Sequence, residues 1–512
     1  MSCTNSGVDV PMSCKEWPSS SLNKSDIAQF TSGPLPLNSP ELMLLLLALL
    51  FLSALIFWNF VWKRRGLPPG PVPLPLLGNG ISLGRSKCHY APFQQWSREF
   101  GPIYTIWLGE APVVVVTDFE LMRDLFVKDG NAYAGRHFMV KLMAEFTACR
   151  GTLYGVVNTE GELWKETRRF ALQSMRNLGM GRARLEERVK RAANAQRDDQ
   201  NAQRDDQNAQ KDDQNAQRDD QKPKGMIKTP EGMIKTDIDV MIGTVRKEIA
   251  SLEESGEKEN GIELDFYINR LTGSTINQVL FGHAFSDDHL EDFHRLKHAM
   301  DSQIKLLDTV TGRALIGNPR LRCFPPFSWT FGSMDNNATT IFAYIDKTIA
   351  ARVEERERDR KAGRGEPGEA NDLLNCFLDQ VEAKAEPKEE RDKYFNMENV
   401  RKVCFDLFFA GQETTSTTLN FLVLYLLLDQ RERAGVVGMV TMADRPKLAY
   451  VNAVVNECQR LCNLLPFNLT HRTMADVQIE GKDGQIRLGQ GTNIVPQISC
   501  VLFDEKCKKS RS

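Results

Sequence analysis

The sequence predicts a mainly α-helical protein with a small β portion, preceded by one N-terminal transmembrane helix. Three observations support this fold class. An uncharged apolar run of 21 residues covers 42–62, two short β-like segments lie within 103–117, and a helical period dominates from there to about residue 460. Further β-like segments, "VQIEG" and "QIRLG", occur only beyond that point. We therefore expect a helical body behind a membrane anchor.

The anchor follows a polar extension that covers residues 1–41. The apolar run, "LMLLLLALLFLSALIFWNFVW", is long enough to cross a bilayer core of about 30 Å as a helix. The basic segment "KRR" comes directly after it, whereas the extension carries only Lys15 and Lys24. The positive-inside rule therefore places the bulk of the chain in the cytoplasm, with a single membrane pass. A cleaved signal peptide is the alternative, but the run is too long and begins too late for one.

The remaining chain divides by composition. Residues 63–79 are predicted to be a basic and proline-rich hinge, since prolines favour a stiff extended connector. A large body is predicted for residues 80–506, with a tail at 507–512. In the body, "IYTIWLG" and "APVVVVT" are typical of two strands joined by a Gly-Glu turn. The acidic N-cap and closing glycine of "DFELMRDLFVKDG" predict a helix.

A low-complexity insertion at 194–238 interrupts this body. "NAQRDDQ" occurs four times in succession over residues 194–221, and Lys211 replaces arginine in the third copy. The heptad period is that of a coiled coil, but alanine is the only apolar residue, so there is no seam to bury. We interpret the array, and the duplicated "GMIKT" segment after it, as an exposed loop without a catalytic role.

Composition argues against several classes of function. A net charge of -2 and a pI near 6.4 give no support to nucleic-acid binding. The eleven cysteines are scattered singly, without CxxC pairs or zinc-like spacing. They are typical of reduced thiols facing the cytosol, so neither a disulfide framework nor a structural metal is predicted.

A long apolar helix is predicted for residues 403–428, although "GQETTSTT" interrupts its middle. Gly411 costs roughly 1 kcal/mol of helix propensity relative to alanine, and burying Glu413 without a partner costs more. One interpretation is that the hydroxyl groups bond back to the preceding turn and merely bend a packed helix. The other is that the helix widens to leave room for a ligand, which Glu413 and Thr414 would face.

Three further patterns occur in a fixed order. "GELWKETRRF" places Trp164 and Arg168 on one helix face, where an indole N–H and a guanidinium group suit an anion such as a cofactor carboxylate. "NECQRL" places Glu457 and Arg460 at a spacing that lets them pair along a helix. "LLPFNLTHRT" follows directly and contains His471.

Together with the anchor, "KRR" and "LPPGPVPLPLLGN", these motifs resemble the cytochrome P-450 family of haem-thiolate monooxygenases, specifically its animal microsomal type. The resemblance covers roughly residues 42–506, apart from the repeat insertion. It implies the cytochrome P-450 fold, haem b as cofactor and an NADPH-dependent reductase as partner. It also implies dioxygen and a small lipophilic molecule as substrates, and the endoplasmic reticulum membrane as location.

The resemblance implies roles for individual residues as well. Gly411 would leave room for dioxygen over the iron, and Thr414 would deliver protons there. Glu413 would relay protons or bond to the neighbouring helix. The haem propionates would be bound by Trp164, Arg168 and His471. The proximal side of the haem would be braced by the pair Glu457 and Arg460.

The sequence also departs from the family pattern. The family's iron is held by a cysteine thiolate in a Phe-x-x-Gly-x-Arg-x-Cys-x-Gly loop. None of the eleven cysteines has that context: Cys500 lies in a predicted strand and Cys507 in a charged tail. We therefore assign no metal ligand and expect an incomplete fold, truncated before this loop and with a shortened helix after residue 428.

Two functions remain open. The first is a membrane-bound haem-dependent monooxygenase that inserts one oxygen atom from dioxygen into a small lipophilic substrate. The second is a catalytically inactive family member that lacks the iron-ligating cysteine. A membrane-tethered scaffold built on the "NAQRDDQ" array is disfavoured, because an alanine-only seam cannot associate strongly.

Overall fold

The computed structural model describes residues 40–86, 90–136, 140–149, 154–178, 230–255, 261–285, 289–363, 372–383, 392–428, 442–481 and 484–504. Predictions for most of the polar extension, the "NAQRDDQ" array, the segment directly after residue 428 and Cys507 lie outside these residues. The chain divides into two compact units, Met1–Lys63 and Arg64–Ser512.

The described part of the first unit is an apolar helix, α1, which spans Pro40–Phe60. The stretch Leu42–Arg64 has a mean hydropathy of 2.5, and only 6% of its most apolar window is buried. By length and composition it is able to cross a membrane. The predicted transmembrane helix is thus present as a candidate span.

The second unit is mainly helical, which confirms the predicted fold class. Its α-helices are α2 (Gly80–Arg85), α3 (Ala91–Phe100), α4 (Phe119–Arg123), α5 (Val140–Met143), α6 (Gly161–Asn177), α7 (Pro230–Ser255), α8 (Leu264–Phe281), α9 (Leu290–Asp308), α10 (Val310–Gly317), α11 (Phe327–Lys361), α12 (Leu373–Glu382), α13 (Met397–Leu428), α14 (Ala449–Cys462) and α15 (Ile498–Leu502). The second "GMIKT" copy, part of the predicted insertion, lies at the start of α7.

Within the described residues, the β portion consists of two sheets. The strands are β1 (Ile103–Leu108), β2 (Ala111–Val116), β3 (His471–Arg472), β4 (Val477–Gly481), β5 (Gly484–Leu488) and β6 (Asn493–Pro496). Four of them form a sheet in the order β1-β2-β6-β3, in which only the β2–β6 pair is parallel. β4 and β5 form a hairpin. The sheet therefore brings the two ends of the body together and places β3 close to the early part of the chain.

The four strands predicted from the sequence are confirmed, but three local predictions need correction. The second "GMIKT" copy was predicted to lie in an exposed loop but forms the start of the helix α7. The helix after Asp118 is α-helical only over Phe119–Arg123 and continues as a π-helical turn, although Asp118 caps it as expected by accepting from Leu121 N at 3.0 Å. Cys500 lies in α15 and not in a strand, because β6 ends at Pro496 and the chain then turns into a helix.

The largest apolar cluster surrounds α13. Its buried side chains, including Val403 and Phe408, pack against residues of α8, α9, α11 and α12. A second cluster fills the space between the four-stranded sheet and the short helices α2 and α3. Because neighbouring helices enclose α13, its rotation about its own axis is fixed, and so are the directions of its polar side chains.

Candidate functional site

The "GQETTSTT" segment does not break its helix, since α13 is continuous over 32 residues. Three hydroxyl groups bond back to the carbonyl group four residues earlier. Thr414 Oγ1 donates to Ala410 O at 2.7 Å, Ser416 Oγ to Gln412 O at 2.9 Å and Thr418 Oγ1 to Thr414 O at 2.8 Å. The structure thus shows the back-bonded arrangement, and the proton of Thr414 is held by the helix itself.

Gly411 lies where α13 approaches α8 closely. A Cβ atom at this position would be 2.9 Å from Cδ1 of Ile276 on α8. The next residue, Gln412, is buried and donates from Nε2 to Asn269 O, also on α8, at 3.1 Å. Both residues therefore hold α13 against α8, and the role of Gly411 beside dioxygen stays a prediction next to this packing role.

Glu413 is paired with a cation from a neighbouring helix. Lys297 Nζ on α9 lies 3.2 Å from its Oε1, and Lys297 also pairs with Asp301 one turn further along α9. Burial raises the pKa of Glu413, and the charge of Asp301 adds to this effect while Lys297 opposes it. Glu413 is thus a half-buried carboxylate that takes up a proton more readily than a free one.

A second polar cluster lies where three elements meet: the loop at Gly135, the first residues of α6, and the strand β3. Glu160, the N-cap residue of α6, accepts from the backbone N–H of Arg136 at 3.3 Å and pairs with Arg472 of β3. Arg168, two turns into α6, stacks its guanidinium group 5.4 Å from the centre of the Trp164 ring. We name Arg136, Arg168, His471 and Arg472 the cationic cluster.

The basic side chains of the cationic cluster repel one another electrostatically. Burial and the neighbouring charge of Arg168 lower the pKa of Arg136. Burial and the charge of Arg136 lower the pKa of His471 to about 4. His471 Nδ1 lies 2.7 Å from Tyr133 O, and because a carbonyl oxygen only accepts, this nitrogen carries the hydrogen. The imidazole ring is therefore neutral at neutral pH.

The cationic cluster also contains donors without acceptors. Arg136 Nη1 and Arg472 Nε are buried and have no hydrogen-bond partner in the part of the chain that the structure describes. An unsatisfied buried donor is costly, and more so when it is charged. Carboxylate groups of a bound cofactor would supply the missing acceptors and the opposite charge. The cluster thus fits the propionates of haem.

Two of the three predicted propionate partners, Arg168 and His471, lie in this cluster. The third differs: Trp164 Nε1 donates to Val156 O at 3.1 Å, so its N–H is already used. Sequence reasoning missed Arg136, since an isolated arginine in a loop carries no spacing signal. The short bridge between Gly135 and Arg472 is what brings Arg136 to the cluster.

The predicted helix pair forms on α14. Arg460 binds Glu457 through two contacts, Nε to Oε2 at 2.7 Å and Nη2 to Oε1 at 2.6 Å. A third donor, Nη1, binds Leu502 O at 2.9 Å. Arg460 therefore connects α14 to the end of α15, which agrees with a bracing function.

Two of the described cysteines are thiols whose protons are held by burial. Burial raises the pKa of Cys500 to about 12 and also raises the pKa of Cys458. No group of three metal-ligating side chains occurs among the described residues. The absence of a thiolate ligand to haem iron stays a prediction from the sequence.

Comparison with known proteins agrees with these features. The cytochrome P450 family model matches residues 68–214 and 231–507. Cytochrome P450 2M1 of Oncorhynchus mykiss is 28% identical over 466 residues, which cover 88% of this chain and 77% of that protein. Cytochrome P450 2C2 of Oryctolagus cuniculus is 27% identical over 461 residues, which cover 87% and 78%. The chain belongs to the cytochrome P450 family, and its resemblance to the animal microsomal type is confirmed.

Proposed function

We propose that this chain is a membrane-anchored haem-dependent monooxygenase that inserts one oxygen atom from dioxygen into a small lipophilic substrate. The observation that supports it best is the cationic cluster, whose two unpartnered buried donors suit haem propionates. Bound haem would supply the iron on which dioxygen is activated. Electrons would come from an NADPH-dependent reductase at the endoplasmic reticulum membrane.

The chain's own residues would move protons. Thr414 Oγ1 carries a proton that is held by Ala410 O at 2.7 Å. Glu413, with its raised pKa, would exchange protons with solvent through Lys297 and Asp301, whose side chain is 40% exposed. The side chains of Asp301, Lys297 and Glu413 form a polar path from the surface to the centre of α13. Glu457 and Arg460 would brace the fold on the proximal side.

A second candidate function, that of a catalytically inactive family member, is favoured by one observation. No cysteine of the 512-residue sequence lies in a Phe-x-x-Gly-x-Arg-x-Cys-x-Gly context. Haem held through its propionates alone would lack the cysteine ligand, and its redox behaviour would differ.

One spectroscopic comparison tests both candidates. The 512-residue chain, and the same chain extended after Lys506 by a Phe-x-x-Gly-x-Arg-x-Cys-x-Gly loop, are loaded with haem, reduced and exposed to carbon monoxide. Both candidates predict that both chains bind haem. The monooxygenase candidate predicts the absorption band of a thiolate-ligated haem and hydroxylation with reductase in the unextended chain, whereas the inactive candidate predicts them only in the extended chain. Failure of both chains to bind haem would contradict the proposed function. A thiolate band in the unextended chain would contradict the inactive candidate.

A further inference from the structure

Asp406 is a buried carboxylate on α13 that the proposed chemistry does not use. Its side chain contacts the loop before α6, where Oδ2 accepts from Val156 N at 2.7 Å and from Val157 N at 2.9 Å. Gly155 has a φ of +96°, and a Cβ atom there would lie 2.3 Å from the same Oδ2. The glycine thus allows the loop to approach the carboxylate this closely.

Asn399, two turns earlier on α13, holds the same loop from the other side. Its Oδ1 accepts from Gly155 N at 3.0 Å, and its Nδ2 donates to Thr167 Oγ1 on α6 at 2.9 Å. Both Asn399 and Thr167 are fully buried. Two side chains of one helix therefore fix three consecutive loop residues and one position of α6.

The loop in turn positions the side chains of α6. Val156, whose N–H is bound by Asp406, offers its carbonyl oxygen to Trp164 Nε1 at 3.1 Å. The Trp164 ring then supports the guanidinium group of Arg168 at 5.4 Å. A continuous set of contacts thus runs from Asp406 through Val156 and Trp164 to the cationic cluster.

We propose that Asp406, together with Asn399, is a positioning group for the anion-binding site: it clamps Gly155–Val157 so that Trp164 holds Arg168 at the cationic cluster. We name these contacts the loop clasp. The identity of the anion rests on the proposed function, whereas the clasp is a property of the protein chain alone.

The charge of Asp406 gives the clasp a pH dependence. Burial raises the pKa of Asp406 to about 6, against the opposing effects of the two loop N–H groups and of Lys402. Lys402 on α13 and Cys149 of the turn Thr147–Cys149 are the titratable groups that face it. Because this pKa lies above that of a solvated carboxyl group, the clasped loop binds the proton more tightly than the opened loop, so the clasp is strongest at low pH and weakens as pH rises through 6.

Amide hydrogen exchange of the full chain in lipid nanodiscs measures the clasp directly, without haem. In the wild type we expect protection of residues 154–160, corrected for the intrinsic exchange rate, to fall roughly tenfold as pH rises from about 5 to 7. Asp406→Asn keeps an acceptor oxygen but cannot ionise, so its protection should not change with pH. Asp406→Ala should lose protection in 154–160 and also in 161–168 at every pH.

Two further variants keep the test decisive if Asp406→Ala folds poorly. Trp164→Phe removes only the link to Val156 O, so it should lose protection in 161–168 while keeping it in 154–160. Asp372→Asn is the matched control, since Asp372 is fully buried and pairs with Arg352 at 2.6 Å, outside the clasp. It should leave both segments as in the wild type.

The outcomes separate this inference from the proposed function. Unchanged protection of 161–168 in both Asp406→Ala and Trp164→Phe would overturn the clasp. A pH-dependent loss that persists in Asp406→Asn would assign the titration to another group and overturn the role of the carboxylate. Haem titration is a separate experiment, in which the Asp406→Ala variant should bind haem more weakly than the Asp406→Asn variant. Equal binding would overturn the positioning role, whereas no haem binding by the wild type would contradict only the proposed function.

Discussion

The ammonium group of Lys297 on α9 lies within 3.3 Å of both carboxylate oxygens of Glu413 on α13. The two side chains are only 18% and 12% exposed. Taking charges out of water is costly unless they are paired, and removing one partner leaves the other uncompensated. This ion pair therefore fixes α9 to the centre of α13 and controls the protonation of Glu413.

We expect Lys297→Met to lower the free energy of unfolding by about 1–3 kcal/mol, because it leaves a half-buried carboxylate unpaired. Adding Glu413→Gln to this variant should restore most of the loss. Chemical denaturation of the full chain measures both effects. The control is Lys347→Met, since Lys347 is 74% exposed and lies 3.4 Å from Asp292. It should change stability by less than about 0.5 kcal/mol. Equal losses in the two lysine variants would contradict the prediction.

The pKa of Glu413 predicts a pH dependence of stability. Because burial raises this pKa in the folded state, the folded protein binds the proton more tightly than the unfolded chain. The contribution of Glu413 to stability is therefore full at low pH and is lost as pH rises from about 4.3 through the folded pKa. Denaturation curves of wild type and Glu413→Gln between about pH 4 and 8 isolate this contribution. Parallel curves would show that Glu413 does not titrate differently on folding.

Arg136→Gln should weaken haem binding by roughly tenfold or more, because it removes a charged donor that is already desolvated. Haem titration followed by absorbance measures the change. Arg169→Gln is the control on α6, since Arg169 is 73% exposed and pairs with Glu166. If both variants bind haem as the wild type does, the cationic cluster does not hold the propionates.

Gly411→Ala distinguishes a packing role from an oxygen-binding role. Alanine gains roughly 1 kcal/mol of helix propensity, but its Cβ atom presses on Cδ1 of Ile276 at 2.9 Å. We expect the two effects nearly to cancel in the single variant. The double variant Gly411→Ala with Ile276→Val, which lacks this methyl group, should be more stable than Ile276→Val alone. Thermal unfolding measures all four proteins, and a further loss in the double variant would rule out the packing explanation.

The anchor and the basic segment after it predict the orientation in the membrane. A protease added to intact microsomes should digest the region after Lys63 and spare the first forty or so residues. Disruption of the membrane with detergent is the control and should expose the whole chain. Protection of the large unit in intact microsomes would reverse the predicted topology.

The elements that the sequence predicted are those with a local signal. The apolar runs of α1, β1 and β2, the alternation in β4 and β5, and the spacing of Glu457 and Arg460 are all visible within a few residues. β3 and β6 are only two and four residues long, too short to show alternation. Arg136 and Asp406 were missed for a different reason. Their partners lie far away in the chain, at Glu160 and at Val156 and Val157, so only the folded structure brings them together.

The parallel pairing of β2 with β6 has a consequence for how the chain folds. Val114 pairs with Ile494, so the sheet joins segments about 380 residues apart. Such distant contacts must overcome a large loop-closure entropy before they stabilise the protein, and they slow folding. During synthesis β2 leaves the ribosome long before β6. The apolar edge of β2 that will pair with β6 is therefore exposed in the meantime. That unpaired edge makes the nascent chain prone to aggregation until β6, Asn493–Pro496, has been made.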